Sequence, residues 1–250
     1  MAELKIADRP ISEHLCKILV KVVRENLDVF AASLRDLGRT SFVIHTIKTG
    51  EARPFKHKLR AIPFARRQYF EQEVERLMSV GAISPADLCA CPYALRTVVT
   101  PTNDGTLRMC VDYRDVNEQT EKDCFVQLRI AQVWPTPFCA RFFASLDQLI
   151  GFHQVEVDPH DRAKTATLTH RGLYVYNVMP FVICNAPATF QRLIEKAIGP
   201  LIGLSVFVYI DDVLIYAETP EQLIEILSAI IKLLVKAGLK CKASECSHFT

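Results

Sequence analysis

The chain has 250 residues, of which 50% are hydrophobic and 23% charged, a composition that fits one large or two small folded domains and excludes a disordered protein. Its 30 basic and 28 acidic residues leave a net charge of +2, so overall charge does not make the chain a nucleic-acid binder. Residues 197–210 form the longest uncharged apolar stretch and are too few to cross a membrane, and nine scattered cysteines suit a reducing compartment, so we expect a soluble intracellular protein.

The first 52 residues predict one helix and one short strand. Apolar residues at helical spacing follow Ser12, and the pattern ends near Asn26. A strand is predicted over residues 41–47. Next comes a basic run without acidic residues, which could contact phosphates or be a solvated basic loop; it comprises Arg53, Lys56, Lys58, Arg60, Arg66 and Arg67.

The following segment predicts a helix and a hairpin. Residues 66–80 have an apolar face that ends at Gly81, a residue type that commonly terminates helices. Two β-rich runs within residues 93–113 are joined by Asn103-Asp104-Gly105, which is a turn signal between strands.

The second half begins with more strand-like sequence. It covers residues 144–157, and residues 166–178 predict a further strand pair. A helix with Pro187 in its first turn is then predicted to end at Gly199.

The last predicted elements are two strands and a helix. The strands cover residues 205–209 and 213–217, and the helix opens with the capping-box pattern Thr219-Pro220-Glu221-Gln222 and ends at Gly238. Since strands and helices mix without a regular βαβ repeat, the predicted fold class is α+β.

Two adjacent carboxylates, Asp211 and Asp212, interrupt the apolar segment FVYIDDVLIYAE. At the tip of a hairpin they could serve one site, and a bound hard cation would relieve their repulsion. The alternative is a solvated turn, because aspartate is common in turns.

A third acid, Asp147, also lies in an apolar run. Three carboxylates at one sheet edge, without matching His or Cys ligands, predict two Mg²⁺ ions, with Mn²⁺ as the alternative metal. Such a site performs in-line phosphoryl transfer, so a polymerase or a nuclease is indicated.

The YIDD motif in residues 207–216 resembles the Tyr-x-Asp-Asp signature of reverse transcriptases. The blocks SLDQLIGFHQVEVDPHDRAKTA, GLYVYNVMPFVICNAPATFQRLI and LRMCVDYRDVN are similar to those of Ty3/gypsy-type long-terminal-repeat retrotransposons. The N-terminal LDVFAASLRDL resembles the segment that links protease to polymerase in those polyproteins. The chain is therefore identified as similar to a retrotransposon reverse transcriptase.

The resemblance implies an RNA-directed DNA polymerase, a nucleotidyltransferase that adds deoxynucleotides to a primer 3′-hydroxyl on an RNA or DNA template. Asp147 and Asp211 match the principal metal ligands and Asp212 a weaker one, with the Gln148 carbonyl as a further ligand. Deoxynucleoside triphosphates and primer-template are the expected partners. The remaining polyprotein domains (protease, thumb, RNase H and integrase) are expected in the parent element, and a cytoplasmic particle or the nucleus is the expected location.

Other roles carry over by position. Phe152 matches the aromatic steric gate that selects deoxynucleotides, although ordinary core packing is the alternative. Arg108 matches the arginine that binds the triphosphate. The remaining expected contacts are Phe181 and Gln191 with the nucleotide, and Tyr209, Asn185 and Pro187 with primer or template.

The implied architecture is a right-hand polymerase fold, with an antiparallel palm sheet backed by the helices that begin near Pro187 and Thr219, plus fingers. The expected division is a linker at 1–52, fingers at 53–121 and 155–185, and palm at 122–154 and 186–250. Because the chain stops soon after the last helix, we expect the thumb to be absent and processivity to be low.

Several positions depart from the family pattern. Thr102 and Asn103 replace the usual lysines of the fingertip hairpin, Val182 replaces a glycine, and Phe125-Val126-Gln127-Leu128-Arg129 replaces Phe-Pro-Leu-Pro-Arg. These departures support an alternative function, a catalytically silent retroelement remnant that binds nucleic acid or is only structural. A third hypothesis is a zinc module that uses Cys241, Cys246 and His248, with Cys89 and Cys91, although these spacings match no common zinc finger.

Overall fold

The computed structural model describes residues 5–6, 12–33, 35–101, 105–124, 140–243 and 246–248, with side chains for all of these except 5–6 and 247–248. Thr102, the turn residues Asn103 and Asp104, the segment 125–129 and the side chain of His248 lie outside the described part. The described residues of Met1–Val43, Phe125–Gln154 and Pro187–Thr250 form one compact unit, and those of Ile44–Cys124 and Val155–Ala186 form a second. The residues predicted to be a linker, 1–52, are thus divided between the two.

The described α-helices are α1 (Glu13–Glu25), α2 (Phe64–Ser79), α3 (Arg114–Gln119), α4 (Ala186–Ile198) and α5 (Pro220–Lys236). The described strands are β1 (Lys5–Ile6), β2 (Ile44–His45), β3 (Ile83–Ala86), β4 (Leu95–Pro101), β5 (Leu107–Val111), β6 (Phe142–Asp147), β7 (Glu156–Val157), β8 (Thr167–Thr169), β9 (Gly172–Tyr176), β10 (Val206–Tyr209), β11 (Asp212–Ala217) and β12 (Ser247–His248). None of the helices in the described residues is both long enough and apolar enough to cross a membrane.

The first unit is built on a five-stranded sheet with the order β1-β12-β6-β11-β10. The neighbours from β12 to β10 are antiparallel, whereas β1 runs parallel to β12. Helix α5 packs on β6 and β11, and α1 packs on α5. The buried stripe of α5 comprises Leu223, Ile224, Leu227, Ile230, Ile231 and Leu234, and it covers the alternate buried residues Ala144, Leu146, Val213 and Ile215. Burial of these side chains holds the sheet edge that carries the predicted acids.

The helix ends in this unit follow local chemistry that the sequence predicted. The Ser12 hydroxyl accepts a hydrogen bond from the Leu15 amide, and Asn26 caps the other end of α1. The Thr219 hydroxyl accepts from the Gln222 amide, and Pro220 occupies the first turn of α5. Both side-chain caps satisfy amides that have no intrahelical partner, so the predicted starts of α1 and α5 are confirmed.

Two strand predictions are too long. Residues 41–47 contain only the two-residue strand β2. The strand-like run 144–157 is interrupted after Asp147 by a turn and by a 3₁₀ helix over Gly151–Gln154. The interruption occurs because Ile150 adopts a positive φ of 47°, which ends the extended backbone.

The second unit contains a five-stranded sheet with the order β3-β9-β8-β4-β5 and a parallel pair of β2 with β7. Within the sheet, β4 and β8 are parallel and the other neighbours are antiparallel. Helix α2 packs against β3 and β5, and Cys91, Tyr93, Ala94, Ala166 and Leu173 form a buried cluster. Helices and mixed sheets together confirm the α+β class.

Candidate active site

The predicted acidic hairpin is formed by β10 and β11. Tyr209 pairs with Asp212, so Ile210 and Asp211 form a two-residue turn between the strands. Ile210 has a φ of 53°. A two-residue hairpin turn commonly places glycine where a positive φ is required, and a β-branched residue in that conformation is strained. In a regular strand the side chains of Asp211 and Asp212 would point to opposite faces. Because Asp211 lies in the turn, this restriction does not apply to it.

Asp147 lies on the strand beside this hairpin. In the register of β6 with β11, Asp147 is directly opposite Asp212. Residues directly opposite in an antiparallel pair project from the same face, where like charges repel. The Gln148 amide also donates to the Asp211 carbonyl oxygen at 3.3 Å. The structure therefore brings all three predicted acids to one end of the β6–β11 pair.

The Asp211 carboxyl group has an unfavourable environment for a charge. Burial, and then the nearby charges of Asp147 and Asp212, raise the pKa of Asp211 to about 6. Its Oδ1 atom is buried and accepts no hydrogen bond from any described residue. A carboxylate placed in this way favours either a proton or a cation.

Gly151 allows the turn after β6 to approach this carboxylate. A β-carbon at residue 151 would lie 2.6 Å from Asp211 Oδ1 and 2.7 Å from the Phe190 ring. Such separations are shorter than van der Waals contact, so only glycine fits here. Ile150, the preceding residue, and Ile210 are the two non-glycine residues with positive φ in the described part of the chain. Ile210 directly precedes Asp211, and Ile150 directly precedes Gly151; backbone strain of this kind commonly occurs at functional sites.

The three acids do not form a complete ligand group as they stand. Across the described ranges, no three His, Cys, Asp or Glu side chains are arranged as a group that could hold a metal ion. The electrostatic coupling of Asp211 with Asp147 and Asp212 is nevertheless strong enough to contribute to its raised pKa. The unpartnered Oδ1 atom of Asp211 and the purely carboxylate chemistry fit a hard cation such as Mg²⁺.

Gln148 and Phe152 follow Asp147 along the chain and are both buried. The Gln148 side chain is 2% exposed, and neither its Nε2 nor its Oε1 atom has a hydrogen-bond partner among the described residues. The Phe152 ring packs against Phe190, with 5.4 Å between ring centroids. Phe152 therefore has a core-packing role, and its predicted role as a steric gate stays a prediction.

Three further predicted residues belong to the same unit. Tyr209 ends β10 and is 38% exposed, so its ring is accessible to a ligand. Pro187 lies in the first turn of α4, as predicted. Gln191 is on the same helix, and its Nε2 atom donates to Glu195 at 3.4 Å. Their predicted contacts with primer or nucleotide stay predictions.

The other predicted residues belong to the second unit. The Arg108 guanidinium lies over the Phe181 ring, 5.4 Å from its centroid. The Asn185 side chain donates to the Glu121 carbonyl and accepts from the Asp123 amide, so it holds that segment in place. Val182 is 51% exposed, and its valine side chain is not packed in a core.

Sequence reasoning missed a segment whose backbone bonds to that of Asp147 and the residues after it. Residues 240–242 run beside 147–149, where the Lys240 carbonyl accepts from the Leu149 amide and the Lys242 amide donates to the Asp147 carbonyl. Cys241 pairs with both Phe30 and Gln148. These contacts join residues more than 90 positions apart, so no local pattern predicts them. The one hint of a close backbone approach in the nearby sequence was Gly151, within LIGFHQV.

The environments of the cysteines bear on the zinc hypothesis. A hydrogen bond with Cys246, and then burial, raise the pKa of the Cys241 thiol. Cys91 is buried in the second unit, and Cys89 is exposed. Since the described residues contain no three-residue metal group, the zinc hypothesis gains no support from them. In the basic run, Lys56 and Arg66 donate to backbone carbonyls, whereas Arg53, Lys58 and Arg60 are exposed.

Comparison with known proteins identifies the family of the chain. Residues 100–250 match the model described as reverse transcriptase (RNA-dependent DNA polymerase). The retrovirus-related Pol polyprotein from transposon 297 of Drosophila melanogaster is 28% identical over 83% of this chain and 20% of its own length. The corresponding polyprotein from transposon opus is 29% identical over 93% of this chain and 23% of its own. The chain thus spans about a fifth of the length of these curated relatives, and the predicted resemblance to retrotransposon reverse transcriptases is confirmed.

Solved structures identify the fold. The foamy viral protease-reverse transcriptase in complex with RNA/DNA hybrid has a TM-score of 0.86 at 20% identity, covering 95% of this chain and 32% of the other. Its complex with dsDNA also has a TM-score of 0.86, covering 97% of this chain and 50% of the other. The predicted right-hand polymerase fold is confirmed.

Proposed function

The chain belongs to the reverse transcriptase (RNA-dependent DNA polymerase) family, and from that premise we propose that it carries the catalytic centre of a retrotransposon reverse transcriptase. In this proposal it joins deoxynucleotides to a primer 3′-hydroxyl on an RNA or DNA template. The observation that carries the proposal is the half-buried Asp211 carboxylate at the tip of a strained hairpin, near Asp147, whose buried Oδ1 atom has no hydrogen-bond partner among the described residues.

Asp147 and Asp211 are the proposed ligands of two Mg²⁺ ions, with Asp212 as a weaker ligand and the Gln148 carbonyl as a further one. Bound ions would lower the pKa of the primer hydroxyl and neutralise charge on the leaving pyrophosphate. Asp212 is the exposed member of the set, which suits an indirect role. Since the three acids do not form a ligand group by themselves, metal and triphosphate are expected to draw their side chains together.

The protein's own residues would orient the reacting groups. Strand pairing fixes the backbone of Asp147 opposite that of Asp212, and the Ile210–Asp211 turn presents Asp211 at the strand end, so substrate binding would have to move the side chains but not the backbone. Tyr209 is exposed and pairs with Asp212, and in this proposal it contacts the primer end. The foamy viral enzyme has been solved with RNA/DNA hybrid and with dsDNA, and we propose primer-template as the partner of this chain as well.

Primer extension on an RNA template with Mg²⁺ tests the proposal. The wild-type chain is expected to extend the primer, and Asp211→Asn is expected to reduce extension at least about 100-fold. Asp28→Asn is the matched control, because Asp28 is an exposed aspartate of the same unit.

The silent-remnant alternative predicts the opposite result. A folded chain that binds primer-template but incorporates nothing would contradict the polymerase proposal and favour the remnant. Circular dichroism and a primer-template binding measurement on each variant separate this outcome from misfolding.

A further inference from the structure

We propose that Gln154 is a positioning residue for this centre, because its buried amide holds the turn that places Gly151 and Phe152 against Asp211 and its neighbours. The proposal rests on the proposed function, since it assigns a role within the same site. Gln154 was not among the residues predicted from the sequence.

The Gln154 side chain is completely buried and bonded at both polar atoms. Its Nε2 atom donates to the Leu149 carbonyl at 2.8 Å and to the Lys240 carbonyl at 2.9 Å. Its Oε1 atom accepts from the Lys240 amide at 2.8 Å. The Gln154 backbone carbonyl also accepts from the Thr40 amide at 2.9 Å. One residue therefore joins three segments that are distant in sequence.

These hydrogen bonds anchor both ends of the turn that follows Asp147. Before the turn, Asp147 and Leu149 bond to the backbone of Lys242 and Lys240. After it, the Gln154 amide returns to Leu149 and Lys240. Ile150 lies between them with a φ of 47°, a strained conformation that persists only where surrounding contacts enforce it. The Gln154 amide supplies part of that enforcement.

The Gln154 amide lies in a place where only glycine fits in the neighbouring backbone. A β-carbon at Gly38 would lie 2.3 Å from Gln154 Oε1 and 2.4 Å from the Gly238 carbonyl oxygen. Gly238 has a φ of 71°, and its own β-carbon would lie 2.3 Å from the Arg39 carbonyl oxygen. The absence of side chains at these two glycines therefore allows their backbone segments to approach each other closely beside this amide.

Movement of the turn would reach the acids directly. Gly151 is already at the limit of approach to Asp211 Oδ1, and Phe152 packs on Phe190 beside it. In Gln154→Met the side chain keeps its length but loses all three hydrogen bonds, so Ile150 is free to relax and Gly151 to shift. Supporting residues of this kind typically change metal affinity or activity 10- to 100-fold.

Three measurements on Gln154→Met test the proposal. We expect the dissociation constant for Mn²⁺, measured by electron paramagnetic resonance, to rise about 10-fold. We expect the Leu149 amide to exchange with deuterium faster, and the preference for deoxynucleotides over ribonucleotides to change. The nucleotide preference is a ratio and does not depend on the fraction of protein that is folded, whereas the Mn²⁺ dissociation constant is corrected for the folded fraction measured by circular dichroism.

Thr165→Val is the matched control. The Thr165 hydroxyl is buried in the second unit, where it accepts from the Tyr176 amide at 2.8 Å and donates to the Arg162 carbonyl at 2.6 Å. Its loss should lower stability without changing Mn²⁺ affinity, Leu149 exchange or nucleotide preference. If Gln154→Met does not fold, the same measurements are made on Gln154→Glu, which keeps the acceptor for the Lys240 amide.

Unchanged Mn²⁺ affinity, exchange and preference in the folded variant would overturn the role of Gln154. A wild-type chain that incorporates no nucleotide overturns the proposed function instead, and the Mn²⁺ and exchange measurements still decide the role of Gln154. A wild-type chain that binds no Mn²⁺ overturns both.

Discussion

Gly151 lies so close to Asp211 that a β-carbon on residue 151 would stand 2.6 Å from the Asp211 Oδ1 atom. The turn after β6, which follows Asp147, therefore lies close to the tip of the β10–β11 hairpin, which carries Asp211 and Asp212. The space beside the carboxylate is therefore set by the absence of a side chain at residue 151.

Gly151→Ala should damage this site. The added methyl group must displace either Asp211 or the Phe190 ring, so we expect a loss of about 1–3 kcal/mol in unfolding free energy and at least about a 10-fold loss of primer extension. Gly199→Ala is the control, because a β-carbon there meets nothing within 4 Å. Equal behaviour of the two variants would show that the close approach is unimportant.

Asp211→Asn should stabilise the metal-free chain at neutral pH. The folded-state pKa of about 6 lies above the ordinary value of 3.8, so the folded chain holds this proton more tightly than the unfolded chain does. Wild-type stability therefore falls as pH rises from about 4 to about 6 and stays lower above that range.

In a chelating buffer, denaturation near pH 7.5 should show Asp211→Asn to be more stable than wild type by about 1–3 kcal/mol. The difference should disappear below about pH 4, where the wild-type carboxyl is protonated in both states. A stability difference that does not depend on pH would contradict the assigned environment of Asp211. Added Mg²⁺ should stabilise wild type more than the variant, since it binds the ionised carboxylate.

Two neighbouring buried glutamines should respond to the same substitution with opposite signs. Gln148 has two buried polar atoms without partners among the described residues, so Gln148→Met should stabilise the chain by about 1–3 kcal/mol. Gln154 is fully bonded, so Gln154→Met should destabilise it by a similar amount. Chemical denaturation of the pair checks this, and a loss of stability in Gln148→Met would mean that its amide has a partner, such as a water molecule.

Ile210→Gly should raise stability by about 1 kcal/mol, because glycine adopts a φ of 53° without the steric conflict of a β-branched residue. Leu204→Gly provides the comparison. Leu204 is 73% exposed in a turn without positive φ, so glycine there should only lower stability. Thermal unfolding of both variants would show whether the hairpin tip is strained.

Phe152→Val distinguishes a steric gate from simple core packing. Both Phe152→Val and Phe190→Val remove part of one buried ring pair, so each should lose about 1–3 kcal/mol of stability. Only the Phe152 variant should incorporate ribonucleotides more readily if the ring excludes the 2′-hydroxyl. A matched change in both variants would assign Phe152 to packing alone.

Local chemistry made several parts of this molecule predictable. The Ser12 and Thr219 caps, the apolar stripe of α5 and the strands on either side of Asp211 each depend on residues within one or two turns of each other. The spacing of the acids and the similarity of the surrounding blocks were sufficient to identify the family. Strand lengths were less predictable, because the backbone at Ile150 departs from its β-branched preference under contacts from elsewhere in the chain.

The sequence by itself therefore determined the four longer helices, the hairpin and the identity of the acids, since periodicity, capping and turn chemistry act between near neighbours. Only the tertiary structure decided that Asp147 faces Asp212, that residue 151 has no room for a β-carbon beside Asp211, and that Gln154 bonds this turn to Lys240. Register and close approach depend on packing between segments far apart in the sequence, as with Gln154 and Lys240, which are 86 residues apart. Such contacts leave no local pattern in the chain, because the free energy that selects them comes from the whole buried core.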